Sequence, residues 1–157
     1  MIKKIDELFD LIPSYPGLNV CLVDGFGILD NFVRFSKDNE ITLHIKMLKD
    51  VDMLDGGEFI KYEKFDFNDK RYNQHSILYD FVFICMKLDD IDLEEMLRKF
   101  YRTIKNAGYI YLFVEPDKKD EIITLLESVN YVSVNEIDRY DSKIIISAQK
   151  MHGWMRV

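Results

Sequence analysis

One stretch of this chain has residue types that invite a ligand. Val20-Cys21-Leu22-Val23 runs directly into Asp24-Gly25-Phe26-Gly27. An apolar run ending in an acid and two spaced glycines describes a strand that turns sharply into a helix. A turn without Cβ atoms lets a ligand come close to the main chain. Two glycines serve a plain tight turn equally well, and a helix-capping role suits Asp24 equally well. Asp66 lies between Phe65 and Phe67, where it is either a ligand contact or a turn residue. Lys46 closes an alternating apolar run. Its ammonium donates hydrogen bonds and accepts none, which suits a phosphate if it suits any ligand. Asp89 and Asp90 precede Asp92 and read as loop before a helix cap rather than as a catalytic pair. Metal chemistry has no foothold, because His44, His75 and His152 are scattered and no CxxC pair exists. Cys21 and Cys85 each sit in an apolar run and read as buried core residues.

The elements that must position these residues follow from periodicity. Ile5, Leu8, Phe9 and Ile12 make a helical stripe over Ile2 to Ile12, stopped by Pro13 and Pro16-Gly17. Asn19 to Asp24 is apolar at nearly every position, as suits a strand covered on both faces. A helix is predicted over about Ile28 to Ser36. A strand follows over Ile41 to Lys46, then a short helix from Met47 to Leu54. Phe59 to Phe67 is a more polar strand, placed near a sheet edge. Phe81 to Met86 is a buried strand. Asp92, with Glu95 three residues on, has capping-box spacing. The helix it starts is expected to end at Gly108. A strand over Tyr109 to Val114 is stopped by Pro116, and a helix starts at Asp117. Tyr131 to Ile137 and Lys143 to Ala148 form an antiparallel hairpin through the link 138–142.

This order predicts one α/β domain over residues 1–157, a doubly wound, mostly parallel, seven-stranded sheet closed by a C-terminal antiparallel hairpin. The chain has 157 residues, 48% of them hydrophobic, enough to bury a core. Its net charge of -7 disfavours general binding to nucleic-acid backbones. No apolar run approaches the roughly 20 residues that span a bilayer, and no signal-peptide stretch opens the chain. The expected setting is the cytoplasm. The apolar tail Met151-His152-Gly153-Trp154-Met155 has no element to join and suits a sheet edge or a subunit contact.

Three stretches resemble the class I S-adenosylmethionine-dependent methyltransferases. Val20 to Gly27 resembles the first strand and glycine-rich loop. Tyr79 to Met86 resembles the fourth strand. Leu93 to Gly108 with Tyr109 to Glu115 resembles the fourth helix and fifth strand. The resemblance implies a Rossmann-like sheet with S-adenosylmethionine outside the strand ends. The residues it places there are Asp24, Gly25, Phe26, Gly27, Lys46, Asp66, Phe67 and Met86. In the family the glycine loop receives the amino-acid end of the cofactor, an acid after the second strand holds the ribose, and an acid after the third meets the adenine. Asp66 matches the last of these.

The sequence departs from that pattern at three points. The loop is one residue short, since Asp24 abuts Gly25 directly. The third small residue of the loop is Leu29, and Lys46 stands where the ribose-binding acid belongs, with Asp50 and Asp52 a turn further on. The Asn/Asp-Pro-Pro-aromatic loop of nucleic-acid amino-methyltransferases is missing after the fourth strand. Two functions are therefore expected to compete. One is methyl transfer to a small-molecule acceptor. The other is a non-catalytic, degenerate relative serving as a protein binding partner. The near absence of insertions, which usually build the acceptor site, favours the second.

Overall fold

A computed structural model of the chain describes residues 5–13, 16–24, 28–47, 58–64, 79–86 and 92–151. Seven strands form one sheet in the order β3-β2-β1-β4-β5-β7-β6. They are β1 (Asn19–Val23), β2 (Thr42–Met47), β3 (Ile60–Lys64), β4 (Tyr79–Ile84), β5 (Ile104–Val114), β6 (Val132–Tyr140) and β7 (Lys143–Gln149). The first five run parallel, while β7 runs antiparallel to β5 and β6 antiparallel to β7. The doubly wound sheet with a reversed C-terminal hairpin is the architecture expected from the order of elements. No helix among the described residues is long and apolar enough to cross a membrane.

Two-sided burial explains the unbroken apolar runs. In β1, Val20 and Leu22 face one core while Cys21 and Val23 face the other. In β4, Phe81 and Phe83 join the first core, and Val82 and Ile84 the second. Each such side chain stabilises the fold by roughly 1.5–3 kcal/mol relative to exposure. The first core is closed by α1 (Leu29–Asp38) and the 3-10 segment Ile5–Leu11. Phe32 of α1 meets Phe83 and Phe9 edge-on, with ring centres 5.0 Å apart in both pairs. The second core is closed by α2 (Leu93–Thr103) and α3 (Lys119–Ser128). The Tyr131 hydroxyl donates to the Leu97 carbonyl at 2.9 Å and ties the start of β6 to α2.

The start of α2 is as predicted, because Asp92 Oδ1 accepts the Glu95 N–H at 3.1 Å. Its end is not at Gly108. The helix stops at Thr103 and the chain enters β5 without a loop. Long-range pairing decides this: Ile104 pairs with Tyr79, and the Lys150 N–H donates to the Gly108 carbonyl at 3.0 Å. The left-handed residue here is Ala107, at φ 66. Three more boundaries differ from expectation. Met47 belongs to β2 rather than to a following helix. Asp138 to Tyr140 extend β6, leaving a two-residue turn at Asp141-Ser142. Pro116 opens a 3-10 turn, Pro116–Lys118, so α3 begins two residues later than read. The rest of the expected 47–54 helix lies outside the described residues.

Candidate functional site at the carboxyl ends of β1 and β4

The chain leaves β1 for β2 and β3, then returns on the other side of β1 for β4 and β5. Strand order therefore reverses at the β1/β4 boundary. In open parallel sheets ligands bind outside the carboxyl ends of the strands at such a boundary. Asp24 is the first residue past β1 at that point. Its φ is 69, a left-handed conformation that aspartate tolerates better than most side chains. Its N–H donates to the Lys46 carbonyl at 2.9 Å, and the Cys85 N–H donates to the Val23 carbonyl at 3.2 Å. The backbone is thus clamped between β2 and β4. The Asp24 carboxylate is half-buried and makes no hydrogen bond or ion pair among the described residues. The capping alternative does not hold, because α1 starts at Leu29 behind Ile28 and no side chain caps it.

Beside Asp24 lies a small cavity of about 50 Å³ lined by Ile28, Cys85, Phe113, Tyr140, Asp141 and Lys143. Cys85 is buried in the core, as its apolar run implies. The part that the 138–142 link plays here was not expected, and the antiparallel register explains it. Val114 pairs with Ile144, so the β6–β7 turn comes back to the carboxyl end of β5. Burial pushes the Cys85 thiol well above its ordinary range, with Asp24 adding to the rise and Lys143 opposing it. The thiol is therefore neutral at physiological pH.

Lys46 is the penultimate residue of β2 and is fully buried. Its ammonium lies 3.7 Å from the Glu63 carboxylate and 5.9 Å from the centre of the Tyr79 ring. It belongs to a polar cluster on the sheet face shared with Cys21, His44 and Tyr79. Burial pushes Cys21 up to about 12 and, together with Lys61 and Lys46, lowers His44. The alternation of His44 and Lys46 against Leu43 and Ile45 was the available sequence signal, but only the apolar face was read from it.

Burial is also the main cause lowering the Lys46 pKa from 10.5, against the opposing pull of Cys21 and Glu63. A base with a depressed folded-state pKa holds fewer protons folded than unfolded. Its contribution to stability therefore rises with pH, up to the ordinary lysine value. Urea unfolding of the wild type and Lys46→Met at about pH 7 and about pH 10 checks this. The difference between them is expected to shift toward the wild type at the higher pH. A difference that stays flat overturns it.

Met86 is buried in the core beside α2. Gly25, Phe26, Gly27, Asp66 and Phe67 lie outside the described residues, as do Asp50, Asp52, Asp89 and Asp90.

No protein-family model matches the chain, and no curated protein matches it in sequence. Solved structures do match. A candidate S-adenosylmethionine-dependent methyltransferase from Listeria monocytogenes superposes with TM-score 0.70 at 13% identity, covering 94% of this chain and 97% of that one. Phosphoethanolamine N-methyltransferase 2 of Haemonchus contortus, in complex with S-adenosyl-L-methionine, superposes with TM-score 0.69 at 11% identity. That match covers 94% of this chain but 52% of the other, so the chain spans about half the length of that enzyme. A candidate ribosomal RNA methyltransferase from Plasmodium falciparum gives TM-score 0.68 at 10% identity, covering 95% of each chain. At such identities the likeness is one of fold. The reversed β7, the β1/β4 switch point and these superpositions agree: the chain has the fold of the class I S-adenosylmethionine-dependent methyltransferases.

Proposed function

We propose that residues 1–157 act as one domain that binds S-adenosylmethionine outside the carboxyl ends of β1 and β4 and methylates a small-molecule acceptor. The observation that carries this reading is Asp24. A half-buried carboxylate without a hydrogen-bond or ion-pair partner among the described residues, held on a left-handed backbone at the switch point, is suited to accept from a ligand donor. In this reading Gly25-Phe26-Gly27 and Asp24 meet the polar end of the cofactor, and Asp66-Phe67 meet its adenine. Met86 and Lys46 support the site from the core. When bound, the cofactor supplies a methyl group already activated by its sulfonium. The protein's task is then to orient the acceptor and exclude water. The net charge of -7 favours a small acceptor over an RNA. Two free, buried cysteines are consistent with a cytoplasmic setting.

A specific observation supports a second reading, a non-catalytic relative that binds a protein partner. Lys46 occupies the end of β2 with its side chain fully buried, so β2 offers no acceptor there for ribose hydroxyls.

Calorimetric titration with S-adenosylmethionine and S-adenosylhomocysteine separates the two. Micromolar binding is expected. Asp24→Gly keeps the backbone conformation and removes the carboxylate. It should weaken binding by about 10-fold or more, the value of one charge-assisted hydrogen bond. No heat at millimolar ligand sinks the enzyme reading and leaves the second.

A further inference from the structure

Away from the strand ends, a groove of about 600 Å³ runs between the 3-10 segment and the outer side of α1. Its floor is apolar. Phe9 and Phe35 stack face to face there, 4.4 Å apart and 5° from parallel, next to Ile12. Its rim is charged, with Asp10 on one wall and Arg34 and Asp38 on the other. On α1, Asn31, Arg34, Phe35 and Asp38 fall at helical spacing and form one stripe.

Two features of this stripe point to its occupant. Arg34 and Asp38 are one turn apart but form no ion pair with each other, and neither has another partner among the described residues. The order of the two charges, cation before anion along the helix, is the weaker one for an internal pair. Both charges are therefore available to another molecule. Secondly, the groove carries a cation within an acidic chain. Arg34 stands with Asp10 and Asp38 on its rim, whereas the whole chain carries -7. A second copy offers what both ends of the stripe need, a carboxylate for Arg34 and a guanidinium for Asp38.

We propose that this groove is the surface through which two copies of the chain associate, α1 against α1 about a two-fold axis. Antiparallel α1 helices crossing midway between positions 34 and 38 put Arg34 of each copy against Asp38 of the other. The same operation brings the two Phe35 rings together over the floor. A patch with opposite charges one turn apart is complementary to itself, which is what an isologous interface requires. A purely cationic or purely anionic partner would leave one member of the Arg34/Asp38 pair facing a like charge. Burying the Phe35 rings adds the apolar term that a rim of charges alone lacks.

Sedimentation velocity of the full chain over a concentration series tests the proposal. A concentration-dependent dimer is expected. The charge reversals R34D and D38R each place like charges opposite one another and should weaken the dimer by about 10-fold or more. Mixing the two variants pairs two aspartates on one copy with two arginines on the other. This mixture should form a heterodimer of roughly wild-type affinity, as should the homodimer of the doubly swapped R34D/D38R chain. Rescue in the mixture can come only from folded chains, so it also controls for folding. A wild type that stays monomeric up to millimolar concentration overturns the proposal. So does a dimer indifferent to both reversals, or a mixture that fails to pair.

Discussion

Replacing Phe83 by alanine lowers the unfolding free energy by about 4 kcal/mol. Phe83 is fully buried as the penultimate residue of β4, with Leu22 of β1 on one side and Tyr111 of β5 on the other. Its ring packs edge-on against Phe32 and stacks at 4.8 Å on Tyr111. The sheet and α1 hold these neighbours in place, so the space left by the ring stays largely open. Loss of transfer energy and the residual cavity then add. Urea denaturation measures the effect, and a loss below about 1 kcal/mol overturns this account. The consequence reaches the candidate site, because β4 ends at Ile84 and delivers Cys85 to the Val23 carbonyl beside Asp24.

Adding a single methyl group at Gly108 lowers stability by about 3 kcal/mol. A Cβ there would stand 2.6 Å from Ile104 Cγ2 and 2.9 Å from each of the Asp80 and Lys105 carbonyl oxygens. Ile104 is fully buried and has nowhere to swing. The Asp80 backbone cannot withdraw either, because its side chain is committed. Asp80 Oδ2 accepts the Asn19 N–H at 2.9 Å and the Lys105 ammonium at 3.2 Å. Gly17 makes the contrast. It has a φ of 89 and open space around it, so Gly17→Ala pays only the backbone strain of about 1 kcal/mol. Thermal and urea unfolding of the two variants side by side check the ranking, and equal losses overturn the steric explanation.

These two positions divide what could be read early from what could not. Phe83 stands in an unbroken apolar run, and such a run means burial on both faces whatever the partners are. The same logic made β1 legible. Polarity alone placed β3, with Lys61, Glu63 and Lys64 exposed, at the sheet edge. The start of α2 was legible because a cap is made by residues three apart. Gly108 was misread for the opposite reason. A glycine after a helical stripe usually ends the helix, but residues 104–107 are taken from it by Tyr79 and Lys150, far away in sequence.

The sequence by itself determined the order of strands and helices, their parallel winding and the family of folds to which the pattern belongs. These depend on local periodicity, capping and the handedness of short connections. Only the tertiary structure decided that Asp24 does not cap α1 and that its half-buried carboxylate makes no hydrogen bond or ion pair among the described residues. It also decided that Lys46 lies buried against Glu63, and that the β6–β7 turn closes beside Cys85. Each of these is set by which strand lies next to which, and by register. Neighbour choice and register are long-range quantities that no window of the sequence contains.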